Sequence, residues 1–282
     1  MERHGAGDRR RSHDAIVTAS MNDFAIIDEN LRSAMRFFGY ATGTGEIAPL
    51  PGGIAMYSGL EYGVFNIAML DGRVTHAGLT LEQRLVEIGQ YFKPKTARWS
   101  LWLCDDLLDY ATRRRARQAL ADFGLRAISH PPGMIAPALL PPTGSLPPLD
   151  VQPVSDKASQ NAFTQITSIC FEIPFNVAQA VYSHDNAWHG DYHGFVGLAA
   201  GRVVSICAVV AAAGVLGVYS LATHPSYRRL GYGEATMRAA LGEMQRRTGL
   251  ERIVLQSTEA GYALYRRMGF RDATRFSVYL TK

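Results

Sequence analysis

The 282-residue chain has only three cysteines, Cys104, Cys170 and Cys207, each in an apolar stretch, which excludes a disulfide framework as its organising device. Long hydrophobic runs are also missing. Even Val203 to Val218 is broken by Ser205, Gly214 and Gly217, short of the roughly 20 apolar residues a membrane helix needs. The opening Met1-Glu2-Arg3-His4-Gly5 has no apolar core of a secretory signal, so a reducing, cytoplasmic setting is expected. A charge excess is scarce too: 29 Lys and Arg against 25 Asp and Glu give +4, far from the basic field of a nucleic-acid tracker. The two signs balance at 16 each over residues 1–150 and stand at 13 to 9 over 151–282. The surplus therefore belongs to the second half and suits a pocket for a small anion.

What is present divides the chain. Eight of the 13 prolines fall between Pro131 and Pro153, and Pro141-Pro142-Thr143-Gly144-Ser145-Leu146-Pro147-Pro148 can form neither helix nor central strand. The expected layout is a disordered, Arg- and Gly-rich tail over 1–20, an α+β unit over 21–140, a linker over 141–150 and a second unit over 151–282. In the first unit the apolar periods predict helices near 22–36, 80–91 and 107–122, and strands within 54–70 and over 98–104. In the second they predict a helix over 156–170, a short helix from an Asn176 cap, and strands at 194–200, 202–211 and 214–223. A helix over 231–248, a strand at 253–255, a helix over 259–268 and a strand over 275–281 complete the pattern.

The segment that points to chemistry is Tyr219-Ser220-Leu221-Ala222-Thr223-His224-Pro225-Ser226-Tyr227-Arg228-Arg229-Leu230-Gly231-Tyr232-Gly233-Glu234. A strand turns at a proline, passes a basic pair and meets two glycines at the mouth of a long helix. Glycine lets backbone approach a phosphate closely, and a helix N-terminus offers unpaired N–H groups in a positive field. It is an anion cradle of neither the P-loop nor the Rossmann kind, since no Gly-Lys-Ser/Thr follows and no third glycine or acidic ribose partner is spaced for one.

About thirty residues later stands Leu264-Tyr265-Arg266-Arg267-Met268-Gly269-Phe270. Together, Arg228-x-x-Gly231-x-Gly233 and Leu264-Tyr265-x-x-Met268-Gly269-Phe270 resemble the two signatures of the GNAT superfamily of acyl-CoA N-acyltransferases, over roughly residues 151–282. The resemblance implies a mixed, mostly antiparallel sheet flanked by helices, and acetyl-CoA as co-substrate. It places the pantetheine arm on Leu221, Ala222 and Thr223 and the pyrophosphate on Arg228, Arg229, Leu230, Gly231, Tyr232, Gly233 and Glu234. It makes the Leu221 N–H the donor to the thioester carbonyl and Tyr265 the acid for the leaving thiolate, with no metal. Arg229 and Leu230 stand where the family often has Gly and Arg, which shifts weight to backbone contacts. The alternative role for Tyr265 is a core aromatic beside Tyr262 and Met268.

The expected acceptor is a small-molecule or peptide amine, with neither nucleic acid nor membrane as partner. No base stands out: Val215 to Ser220 contains no carboxylate, leaving a water relay or Glu259, His224 and the cluster His184, Asp185, Trp188, His189, Asp191, His193, whose spacing fits no standard zinc pattern. The first half lacks the phosphate loop. Its ending aligns with the second when Gly124 is set on Gly269, which puts Phe123 on Met268 and Leu120 on Tyr265. A degenerate copy of the same fold and an unrelated α+β domain both accommodate this. Aromatic stretches at Met56 to Tyr62 and Val64 to Asn66 are expected to line a groove between the halves.

Overall fold

The computed structural model describes residues 7–75 and 78–282, with side chains of the first helix described from Asp23 onward; of the disordered tail expected over 1–20, residues 1–6 lie outside the described residues and 7–20 form the first turns of a helix instead. The first half runs α1 (Gly7–Tyr40), β1 (Glu46–Leu50), β2 (Gly53–Tyr57), β3 (Ile67–Leu70), α2 (Leu81–Phe92), β4 (Ser100–Cys104), α3 (Tyr110–Asp122), β5 (Leu125–Ser129) and β6 (Pro132–Ala136). The second runs β7 (Asp150–Pro153), α4 (Lys157–Phe171), α5 (Phe175–Tyr182), β8 (Tyr192–Ala199), β9 (Arg202–Ala212) and β10 (Val215–Thr223). It ends with α6 (Tyr232–Thr248), β11 (Ile253–Gln256), α7 (Glu259–Arg267) and β12 (Arg271–Thr281). The fold is α+β, with a mixed and mostly antiparallel sheet flanked by helices.

One order occurs twice. Strands β1, β2 and β3 form a meander and β3 pairs in parallel with β4 across α2; β8, β9 and β10 do the same, with β10 parallel to β11 across α6. A parallel pair needs a long crossover, and each helix supplies it. α3 and α7 then end at Gly124 and Gly269, both with positive φ, where the chain reverses into the next strand.

The halves are joined by exchange of strands. Residues 271–275 of β12 pair with β6, while 276–280 pair with β4 and 278–281 with β5. In return β6, contributed by the first half, lies between β11 and β12. The result is a twelve-stranded sheet. At the crossing, a Cβ on Gly133 would press on Thr274, Phe276 and Ile27, so the close approach of β6 to β12 depends on this glycine. One apolar core lies under α1, α2 and α3, and two more occupy opposite faces of the second sheet, against α4 and α5 and against α6 and α7.

Strands β1, β6 and β7 were not expected from the sequence. β6 begins on Pro132, inside the proline-rich region; proline is tolerated as the first residue of a strand because no ladder bond is required of its nitrogen. The expected Asn176 cap is corrected as well, since α5 starts at Phe175 after Pro174 with no capping side chain. The fixed φ of proline prepares the first turn without one.

Candidate functional site

The strand that leads into the glycine loop separates from its neighbour as it goes. β10 pairs with β11 only from Leu216 to Val218, and beyond that it is held on the β9 side alone, where Ala222 faces Ile206 and Thr223 faces Ser205. The register slips between Tyr219 and Ala222, and Ser220 sits at φ 45°. A non-glycine residue in the left-handed region marks a bulge that re-aims the following backbone. The next N–H, that of Leu221, lies at the opening where β10 and β11 part, and Leu221 packs at the border of the cluster containing Tyr265.

At the end of β10, Pro225 to Tyr227 form one 3₁₀ turn, and the His224 ring accepts from the Ser226 N–H at 3.3 Å. Arg228 donates through Nε to the Thr223 carbonyl at 3.1 Å, and the Cys170 thiol donates to the same oxygen at 3.3 Å. Arg229 follows at φ 63°, exposed and without a partner among the described residues. Leu230 is exposed, and Gly231 caps α6 at φ 86° with no side-chain hydrogen bond. The first-turn N–H groups are therefore open to an anion. Gly233 is small for a steric reason too: its Cβ would come 2.9 Å from the Thr223 hydroxyl. Glu234, an acid in this first turn, is held by Arg238, whose Nε and Nη2 both donate to one carboxylate oxygen, at 2.9 and 2.7 Å. A Cβ on Gly231 would also meet Pro147 at 2.9 Å and Leu146 at 3.8 Å, so the linker leans on the loop.

The corresponding position in the first half is closed from within. Thr80 caps α2 and forms a full capping box with Gln83. Arg84, buried in the first turn of α2, donates to the carbonyls of Gly52, Asp71, Gly72, Arg73 and Leu79. The N–H groups of Thr80 and Gln83 at this helix mouth are thereby taken by the chain's own side chains.

Tyr265 projects from α7 with its ring buried and edge-on to Phe270, at 5.8 Å between centroids. A Cβ on Gly261, one turn earlier, would lie 2.7 Å from the ring edge, so the ring folds back over the start of α7. The hydroxyl bonds to no other described residue. Burial raises its pKa well above the ordinary phenol value, which keeps it protonated through neutral and moderately alkaline pH. Leu120, its counterpart in α3, is fully buried.

The expected polar cluster is scattered. Asp185 binds Lys157 at 2.8 Å and accepts from Gln160 at 2.9 Å. His193 on β8 is half-buried, its pKa lowered by burial and by Arg247; Arg247 stands in the last turn of α6, at the opposite end from Gly231. Glu259 is exposed at the start of α7. Among the described residues no group of three or more His, Cys, Asp or Glu is placed to hold a metal ion. Leu60, Tyr62 and Phe65 of the first half pack into the core that also holds Ala222 and α5.

Two features of the site were missed in the sequence. Asn30 of α1 reaches β10: its amide donates to the carbonyls of Val210, Ala212 and Val215, its oxygen accepts from Tyr219 at 2.7 Å, and Gly217 leaves room for it. A lone amide within the Ile27, Leu31, Ala34 stripe was the available signal. The second is a set of hydroxyls, those of the buried Tyr182 and Tyr192 and the half-buried Ser220, for which the linear sequence offers no pattern.

Residues 161–270 match the model of the acetyltransferase (GNAT) family. That segment of the chain, and not the whole of it, is therefore similar in sequence to the GNAT family. No curated protein matches it. The GNAT fold is shared with a GCN5-related N-acetyltransferase from Kribbella flavida at TM-score 0.67 and 16% identity, over 92% of this chain and 95% of that one. A putative GNAT-family acetyltransferase from Novosphingobium aromaticivorans aligns at TM-score 0.53 and 15% identity, over 90% and 97%. A GCN5-related N-acetyltransferase from Sphaerobacter thermophilus aligns at 0.54 and 18%, over 82% and 76%. The first two alignments span both halves, so the GNAT likeness in fold extends beyond the matched segment.

Proposed function

We propose that the chain transfers an acetyl group from acetyl-CoA to a primary amine by direct attack in a ternary complex, using a single coenzyme site in residues 151–282. The observation that supports this most is the glycine-capped, otherwise uncapped mouth of α6 beside the parted β10 and β11. In this assignment Leu221, Ala222 and Thr223 hold the pantetheine arm, and the stretch from Arg228 to Glu234 holds the pyrophosphate. When bound, the coenzyme supplies an activated thioester. The Leu221 N–H donates to the carbonyl oxygen as charge builds there, an oxyanion-hole role. The Tyr265 hydroxyl, kept neutral by burial, gives its proton to the departing sulfur. With no carboxylate on β10, the amine loses its proton through water.

The first half, residues 21–140 ahead of a 141–150 linker, is on this proposal a degenerate GNAT-like copy whose own phosphate position is closed by Thr80, Gln83 and Arg84. The acceptor is a small-molecule or peptide amine, with neither nucleic acid nor membrane as partner and the cytoplasm as location. Among the described residues no helix is long and apolar enough to cross a membrane.

Release of free thiol from acetyl-CoA, measured against a panel of primary amines, tests the proposal. Amine-dependent release is expected with at least one amine class. Tight acetyl-CoA binding without release for any amine would instead identify a non-catalytic acyl-CoA-binding module.

The placement of the pyrophosphate has a test of its own in Gly233→Asp. An acid in the first turn of a helix favours the helix dipole, yet here it brings negative charge into the cradle. The new Cβ makes the Thr223 side chain shift, so the melting temperature should fall by several degrees with cooperative unfolding retained, while acetyl-CoA affinity falls by roughly 100-fold, about the scale of one lost charge-assisted contact plus repulsion. Unchanged affinity by calorimetry would move the pyrophosphate elsewhere. Gly231 is a poorer probe, because its positive φ strains any replacement whether or not a ligand binds.

A further inference from the structure

The bulge in β10 is held by side chains that the proposed chemistry does not use. Ser220 adopts φ 45°, a region that disfavours every residue with a Cβ. Something must stabilise it there. Its hydroxyl lies 2.7 Å from that of Tyr192 on β8, with the Tyr182 hydroxyl from α5 nearby. Both tyrosines are buried, with 2% and 3% exposure for Tyr182 and Tyr192. Their rings are fixed by Phe37 of α1, stacked at 4.1 Å on Tyr192 and 5.5 Å on Tyr182. Buried hydroxyls need partners, and Ser220 meets that need only while its side chain points back toward α5 and β8.

We propose that Tyr192 is a positioning residue whose hydroxyl, through Ser220, holds the β10 bulge and so aims the Leu221 N–H into the opening between β10 and β11. Its catalytic consequence rests on the assignment of Leu221 as the donor to the thioester carbonyl. Tyr192 does not touch the reacting atoms in this account. If the bond to Ser220 is lost, the left-handed conformation has less to hold it, the strand relaxes toward regular pairing with β9, and the N–H turns away. The first half takes part through Phe37, which gives its helix α1 a role beside the chemistry without a coenzyme site of its own.

The test compares wild type, Tyr192→Phe, Ser220→Gly and the double variant. Tyr192→Phe keeps the ring and its stacking on Phe37 while removing the hydroxyl. It should lower kcat about tenfold, the population change available from one buried hydrogen bond set against one left-handed residue, with the KM for acetyl-CoA nearly unchanged. Glycine adopts positive φ freely, so adding Ser220→Gly to Tyr192→Phe should bring kcat back to that of Ser220→Gly alone. Wild-type kcat in Tyr192→Phe would overturn the proposal. So would a double variant as slow as Tyr192→Phe, because the hydroxyls would then be acting chemically.

A second readout needs no turnover. Amide hydrogen exchange over residues 219–222, measured without substrate, should speed up in Tyr192→Phe and not respond to the tyrosine in the Ser220→Gly background. Unchanged exchange in Tyr192→Phe overturns the lock even in a protein that transfers nothing. Absence of amine-dependent thiol release from wild type, with the exchange pattern as expected, would leave the lock standing and remove the function assigned to the site.

Discussion

Tyr265→Phe is expected to lower kcat by roughly 10²- to 10⁴-fold, the range that general acid catalysis contributes. Fold and coenzyme affinity should hardly change. The ring packs against Phe270 and its pKa is raised by burial, while the hydroxyl has no described partner to leave unpaired when it is removed. A purely structural tyrosine gives the reverse pattern: Phe would be neutral for turnover, and Tyr265→Ala would cost about 3–5 kcal/mol through the cavity it opens. Steady-state kinetics with saturating amine, together with thermal melts of both variants, separate the two. Because the phenol titrates well above its ordinary value, deprotonation of Tyr265 should cause no alkaline loss of kcat near pH 8 or 9. Full activity in Tyr265→Phe would remove it from the mechanism.

The second large effect follows from the exchanged strands. Residues 151–282 expressed alone should fail to fold cooperatively, although the family model fits within them. Their sheet would lose β6 from between β11 and β12, and with it Met134 and Ala136, both fully buried in the core under α6 and α7. The end of β12, with Phe276, Val278 and Tyr279 buried in the intact chain, would lose β4 and β5 as neighbours. At about 1.5–3 kcal/mol for each large apolar side chain returned to water, these losses are comparable with a whole domain's net stability of roughly 5–15 kcal/mol. Circular dichroism melts and size-exclusion profiles of the fragment check this. A sharp melting transition with acetyl-CoA affinity equal to that of the full chain would show that the exchange is dispensable.

Much of this architecture was legible in the chain. The second half could be read closely because its apolar periods are long and its stops are glycines: α6 ends at Gly249 and α7 is followed by Gly269, as the periodicity predicts. The loop proposed to hold the pyrophosphate stood out for the same local reason, since a basic pair and two glycines at a helix start have a direct physical meaning. The exchange of β6 and β12 was not, because strand partnership is a long-range property that no window of sequence encodes. Proline density marked the region after Pro131 as a break, and β6 was hidden at its start. The alignment of Gly124 with Gly269 did hint at repetition, and the two parallel pairs with their crossover helices show one order occurring twice. Within the site, the Ser220 bulge depends on Tyr192 and Tyr182, 28 and 38 positions away, and Gly217 makes sense only once Asn30 is seen against it.

The account stands most directly on the number and place of coenzyme sites, which calorimetric titration of the full chain with acetyl-CoA measures. One site per chain is expected, abolished or strongly weakened by Gly233→Asp, because α6 offers an open mouth while the mouth of α2 is closed by Thr80, Gln83 and Arg84. Two sites per chain, or one site that Gly233→Asp leaves intact, would contradict it.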